Sequence, residues 1–495
     1  MKASQNLFYL INSLTKAEKR YFSLNVLQNS KDKNFTKLFN EIELQTRAGS
    51  YDEEVIKAKF KNEKFIRQLT FTKNYLYNLI IKSLINFYSG DSIEARIYNL
   101  IISAKILFKK SLYDDYFKNL EIAKSLAERT ERFGILLDII KIQMRLIRLK
   151  ERKKNKGRNL FEEEKSIINK IENITSYSKL LNAFYSLTKI PDYARSKILY
   201  KEAIGIFENP LLNSEKNALS ATAKDKYYQL LIYKNEFLEN KKELFAIAVK
   251  RYELFQKNKI IFLADAENKE MQFLYEALLY AIFNNKNNYY NIGLKLYQAK
   301  FIKKEVNETN LSEESLNYYF LQMYYYYNRN NLTEALRYAD IIYKDMRANE
   351  AIQNKDELLS FYFIYAKILY ENKNHLSALN VTDTIIKHQY KDLRYDILSY
   401  SYFLEIFIHY ELKNFQLVKS YLLALTRKLS HHKEKDLSEK VILKFFHELC
   451  SENKLDEKYV LKKYYKKFQI LKKSKYERAL FNDLPIDKWI SKKIF

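Results

Sequence analysis

Turn-forming residues are scarce in this chain. Its 495 residues include 6 Gly and 3 Pro, and Pro191, Pro210 and Pro485 leave the first 190 positions without a proline. Multi-stranded folds draw on these two residues for tight turns, so the shortage argues against a β-rich fold and for an all-α one. Cys450 is the sole cysteine, which excludes an intramolecular disulfide and fits a reducing compartment. The opening MKASQNLFYLINSLTKAEKRYF has neither the unbroken apolar core nor the small-residue cleavage site of a secretory signal. No window approaches about 18 consecutive apolar residues, so no membrane span is expected and a cytoplasmic location is. Glycines at 49, 90, 134, 157, 205 and 293 are too scattered for GxxxxGK[ST] or GxGxxG, which removes the common nucleotide-cofactor motifs. HExxH is missing and a single cysteine cannot form CxxC, so the common zinc signatures are missing too.

What is present belongs to a folded protein, because 47% hydrophobic and 15% aromatic residues exclude a mostly disordered chain. The length allows about three ordinary domains or one elongated array. Subtracting 60 acidic from 86 basic residues leaves a formal charge of +26, which fits nucleic acid, an anionic membrane surface or an acidic protein as partner. Lys, Asn, Ile, Tyr and Phe abound together, however, and AT-rich codons specify that set. Genome base composition alone can therefore supply much of the lysine excess.

Helix starts recur as a capping residue followed three positions later by Glu: Thr15 with Glu18, Ser50 with Glu53, Asp91 with Glu94, Asn159 with Glu162, and Asp436 with Glu439. Between starts, apolar residues return every three or four positions, as in the stripe Phe65, Leu69, Leu76, Leu79, Ile80 and Leu84. Stops fall at Gly49, Gly90 and Gly157 or at Asn- and Lys-rich clusters, where Asn can replace glycine in the left-handed conformation. FNNKNNYY (283–290), YNRNNL (327–332), YENKNHL (370–376) and YELKNF (410–415) each separate an aromatic helix from an amphipathic one. Ala335 to Ala378 spans 43 positions and Ala378 to Val418 spans 40. A helix pair of that length cannot bury its own apolar face, so the pairs must stack as an α-solenoid of antiparallel helices. The expected organisation is a helical cap over 1–95, a solenoid over 96–460 and a basic helical segment over 461–495.

At these positions the chain resembles tetratricopeptide repeats. Tyr319, Tyr326, Leu332 and Ala335 in one unit, Tyr362, Ala366 and Ala378 in the next, and Ala104, Leu107, Tyr113 and Ala123 earlier fall at matching spacing. Asn330 and Lys373 stand where that family has its turn glycine, Met323 where it keeps a small residue, and the period exceeds the family's roughly 34 residues. Residues 1–95 are also similar to the N-terminal part of uncharacterised bacterial proteins that carry such repeats. The resemblance implies a right-handed solenoid with a concave groove, and no activity.

In YYFLQMYYYYNRNNLTEAL, a helix would point Tyr324, Tyr325, Tyr326 and Tyr327 in four directions about 100° apart. A helix packed on several sides accommodates them, since a tyrosine ring is apolar while its hydroxyl needs a polar partner or water. On the family's geometry Tyr326 faces the intra-repeat core, and Tyr324, Tyr325 and Tyr327 pack against adjoining units or line a binding groove. FFHELC sets His447 and Cys450 one turn apart, with His431 and His432 upstream. Their apolar setting reads as a core histidine and a buried thiol in preference to a metal site. Glu162, Glu163 and Glu164 suit a helix N-terminus, and the cations from Arg145 to Lys156 suit a helix C-terminus. On a helix over 459–481, Lys462 and Lys466, and Lys463 and Lys467, are like charges one turn apart. Each such pair costs a few tenths of a kcal/mol, which an acidic partner or nucleic acid would relieve, although a solvated basic face explains them as well. With no catalytic constellation, metal set or cofactor motif, the leading expectation is a non-enzymatic scaffold holding a peptide or protein segment. The alternative is a nucleic-acid-binding regulator.

Overall fold

The structure, a computed structural model, describes residues 5–27, 34–88, 92–147, 160–188, 197–302, 311–350, 354–387, 395–430, 437–450, 457–474, 477–484 and 486–494. Among them every regular element is helical and none is a strand, so the chain is all-α. No helix among the described residues is long and apolar enough to cross a membrane. Two compact units form, Met1–Glu164 and Lys165–Phe495.

The first unit contains α1 (Asn6–Ser13), α2 (Lys16–Phe22), α3 (Asn34–Ala48), α4 (Glu53–Lys59), α5 (Leu69–Tyr88), α6 (Ile93–Lys109), α7 (Tyr113–Arg129) and α8 (Phe133–Ile147). Helices α1, α2 and α3 close around α5, burying Ile11, Phe22, Leu38, Ile42, Leu76 and Ile80. The expected stripe on α5 is therefore the core face, with Leu79 and Leu84 half-buried at its edge. Thr15 and Glu18 make the expected capping box: Glu18 N donates to Thr15 Oγ1 at 3.3 Å and Thr15 N to Glu18 Oε2 at 2.6 Å. At α4 the cap is Asp52, not Ser50, and it accepts from the backbone N–H groups of Glu54 and Val55. The Gln45 side chain pairs with both backbone groups of Asp52 at 3.0 Å, which holds Ser50 and Tyr51 outside the helix. Ser92 caps α6 by accepting from Ala95 N. Asp91, Asn159, Asp436, Gly90, Gly157, Pro191 and Pro485 lie outside the described residues, as do His431, His432 and most of the basic run 145–156.

The second unit holds most of α9 (Leu160–Thr188), then α10 (Lys197–Phe207), α11 (Ala221–Phe237), α12 (Lys241–Lys257), α13 (Ala266–Phe283), α14 (Asn287–Phe301), α15 (Glu313–Asn328) and α16 (Leu332–Ala348). It ends with α17 (Lys355–Glu371), α18 (His375–Lys387), α19 (Tyr395–Glu411), α20 (Phe415–Ser430), α21 (Leu437–Leu449), α22 (Glu457–Leu471), α23 (Arg478–Asp483) and α24 (Ile486–Ile494). Five hairpins, α11–α12 to α19–α20, pack in chain order, and first helices also meet directly, α13 on α15 and α17 on α19. Ala335, Ala339, Ala366 and Ala378 are fully buried where helices approach, and so are Ala104 and Ala123 in the first unit. Gly293 serves the same purpose on α14, since a Cβ there would lie 2.5 Å from Leu278 Cδ2.

One turn recurs throughout. Ser111, Glu131, Glu239, Asn285, Asn330, Lys373 and Lys413 have φ between 52° and 63°, each just past a helix and ahead of the next. After α15, Asn330 N donates to Tyr327 O at 2.9 Å and Asn331 N to Tyr326 O at 3.0 Å; after α17, Lys373 N donates to Tyr370 O and Asn374 N to Leu369 O, both at 2.9 Å. This pair of bonds is the Schellman closure, and it needs a left-handed residue where glycine is the usual choice. Asn330 and Lys373 thus occupy the conformation that the missing glycine would take.

The last helices join the core of the second unit. Trp489 on α24 packs edge-on against Phe407 at 5.3 Å and Tyr410 at 5.5 Å, and its indole N–H donates to Glu411.

Candidate functional site

The consecutive tyrosines of α15 each meet a different neighbour. Tyr324 packs on Phe283 of α13 at 5.8 Å, and Tyr325 stacks on Tyr290 of α14 at 4.3 Å. Tyr326 stacks on Tyr338 of α16 at 5.7 Å, the intra-pair position. Tyr327 donates its hydroxyl to Glu371 Oε1 of α17 at 2.9 Å. The Arg329 guanidinium lies 3.6 Å from the centre of the Tyr325 ring and so covers its other side. Tyr325 and Tyr327 are engaged in packing, whereas Tyr324 also lines a cleft.

That cleft, about 720 Å³, lies over α13, α15 and α17 beside the end of α16. Its floor is aromatic and aliphatic: Tyr275 and Leu279 from α13, Leu316, Phe320 and Tyr324 from α15, and Phe361 and Ile364 from α17. Phe320 meets Phe361 edge-on at 5.6 Å and lies nearly parallel to Tyr324 at 6.3 Å. Polar groups around it are Glu313, Asn317, Asp345, Asn349, Asp356, Glu357 and Ser360, with no Lys, Arg or His among the lining residues. Helical caps explain part of this acidity, because Glu313 follows the Ser312 cap of α15, and Asp356 and Glu357 follow the Asn354 cap of α17. Asp345 is buried, accepts from Leu311 N at 2.8 Å and from the Asn349 amide at 3.2 Å, and thereby shapes the wall. Burial pushes the Tyr324 hydroxyl up to about 12 and raises that of Tyr275, so both remain neutral hydrogen-bonding groups.

A second cleft of about 450 Å³ lies beside Phe184, Tyr185, Tyr233 and Phe237. The Tyr185 and Tyr233 hydroxyls are 2.7 Å apart, and the Gln229 amide donates to both. Nearby, buried Arg251 donates to Asp225 at 2.7 Å and to Glu276 at 3.1 Å, tying α11, α12 and α13 together.

The sequence reading missed a buried polar cluster on α19. Glu405 Oε1 accepts from Thr382 Oγ1 at 2.9 Å, while Oε2 is buried with no hydrogen-bond partner among the described residues. Burial pushes this carboxyl up to about 7, opposed in part by the neighbouring Tyr421 and Thr382 hydroxyls. One turn on, buried His409 stacks on Tyr421 at 5.3 Å, and burial lowers its pKa. Two ionisable residues at i and i+4 in the apolar run YDILSYSYFLEIFIHYE were the available signal. Neither lines either cleft.

Of the nominated lysines, Lys463 pairs with Glu448 at 2.7 Å, and Lys467 lies 4.8 Å from the centre of the Tyr464 ring. Lys462 and Lys466 are exposed on α22, whose buried stripe is Val460, Leu461, Tyr464, Phe468 and Leu471. His447 is exposed, while burial pushes the half-buried Cys450 thiol up to about 11. Phe445 and Phe446 take the core face of α21 and leave His447 outside it. Among the described residues no three His, Cys, Asp or Glu side chains converge as a metal set. Glu162 and Glu163 do sit in the first turn of α9, and Glu163 also pairs with Lys124 at 2.6 Å.

No family model matches the chain, and no solved structure does. Among curated proteins it is similar to Protein Ycf2 of Physcomitrium patens, 26% identical over an alignment 349 residues long that covers 62% of this chain. The match spans 14% of that relative's length.

Proposed function

We propose that this protein is a non-enzymatic interaction scaffold, a right-handed solenoid of tetratricopeptide-like helix pairs that holds a peptide or protein segment against its first helices. The observation that carries this reading is the cleft of about 720 Å³ over α13, α15 and α17. Its size and apolar floor suit a few anchoring side chains, and its neutral tyrosines and carboxylates supply hydrogen bonds without a nucleophile–base pair. Burying Phe320 and Phe361 further under a partner side chain adds stabilisation of about 25 cal/mol per Å² of apolar surface.

A photo-crosslinking amino acid at Ser360, introduced into the full chain in its source cell, tests the proposal. The expected product is an adduct mapping to one short stretch of one partner and lost in Phe320→Ala; adducts that scatter over many proteins and survive that change would contradict it.

A second reading, nucleic-acid binding through α22, draws on exposed Lys462 and Lys466. It calls for binding that falls steeply with salt and on replacing Lys462, Lys463, Lys466 and Lys467 together.

A further inference from the structure

The cleft's charge runs against that of the whole molecule. In a chain with 86 Lys and Arg, the cleft over α13, α15 and α17 is lined by four carboxylates and by no cation. Glu313, Asp356 and Glu357 are exposed at its edge, and none of them forms an ion pair with another described residue. Two helix N-termini, those of α15 and α17, face these acids, but a helix end carries only about +0.5 of a charge. Four full negative charges against roughly +1 leave the cleft near −3. Beneath them Tyr275 and Tyr324 line the cleft, and neither hydroxyl has a hydrogen-bond partner among the described residues. A carboxylate rim over an aromatic floor is complementary to a Lys or Arg side chain that carries an apolar stem and a charged head, because the stem lies on the rings while the head reaches the acids.

From this charge complementarity we infer that the cleft receives a basic amphipathic segment of a partner protein, with at least one large apolar side chain on Phe320 and Phe361 and flanking Lys or Arg at Glu313, Asp356 and Glu357. The inference rests on the scaffold reading and adds the partner's chemistry. It also separates this face from any anion-binding role, since a phosphate backbone would meet carboxylates here and be repelled.

The test is selection of a phage-displayed library of random peptides of about twelve residues on the full chain, followed by titration of the selected peptides at low and raised salt. Expected binders combine an aromatic or Leu anchor with several Lys or Arg. Their affinity should fall at least about tenfold in the double variant Asp356→Lys, Glu357→Lys, fall less in Asp356→Asn, Glu357→Gln, and fall again in Phe320→Ala. The neutral pair keeps side-chain shape, and an unchanged circular dichroism melt establishes that it folds. Neutral or acidic binders that lose affinity in Phe320→Ala but ignore both acid-replacing variants would overturn the charge inference and leave the segment-binding reading standing. Binders indifferent to every cleft substitution would overturn both.

Discussion

Single residues in this fold act through the neighbour each one meets. Tyr327 uses its hydroxyl on Glu371, whereas the Tyr324 hydroxyl has no partner among the described residues. Tyr327→Phe should therefore cost about 1 kcal/mol in denaturant unfolding and Tyr324→Phe close to nothing, although the two positions are three apart on one helix. Glu405 gives a pH prediction. Its carboxyl is almost fully buried and rises from an ordinary 4.5 to about 7, with Thr382, Asp383 and Lys387 of α18, Tyr421 of α20 and His409 of its own helix around it. A raised folded pKa gives stability that is complete below the unfolded value and lost as pH rises through the folded one. The loss from pH 5 to 8 should be roughly 2–3 kcal/mol, and Glu405→Gln should abolish most of it and be the more stable protein at pH 8. His409 works in the opposite sense, because burial lowers its pKa from 6.5; its contribution is present above that value and is lost on acidification. Unfolding midpoints across this range, for wild type and Glu405→Gln, check the sign directly.

At the scale of elements, the turns were the most legible part of the sequence. Asn-rich clusters mark them because Asn tolerates left-handed backbone, and the turn after α15 takes that conformation at Asn330. Lys373 and Lys413 take it as well, with φ of 63° and 59°, despite an unfavourable Cβ. Lys373→Gly and Lys413→Gly should each stabilise the fold by about 0.5–1 kcal/mol, with Asn330→Gly gaining less; a loss in chemical denaturation would contradict the turn assignment. The buried alanines were legible by spacing, and Ala378→Leu should cost about 3 kcal/mol by overfilling the contact between α17 and α18. Helix starts were less so. Ser50 and Asp52 are both good caps, and only the Gln45 side chain, seven residues before Asp52, decides between them. His447 illustrates the same limit: a half-apolar run does not say which residue turns outward until Phe445 and Phe446 claim the core.

At the scale of the molecule, the second unit is largely a succession of hairpins whose helices meet near neighbours in sequence, while in the first α1, α2 and α3 close around α5. The period was visible from Asn clusters and alanines; the way Trp489 locks the last helices onto α19 was not, since a lone Trp near the end of a chain carries no address. The cleft was visible only through Tyr324. Its other members come from segments around 275–279, 313–320, 345–349 and 356–364, and their acids look like ordinary helix caps until three helices bring them together. Hydrogen exchange on the full chain, with and without a peptide selected for binding, decides where a partner sits. Slowed exchange in α13, α15 and the first turns of α17, with α22 unchanged, is the predicted pattern. Protection confined to α22 around Lys462 and Lys466, or none in α13, α15 and α17, would contradict the account.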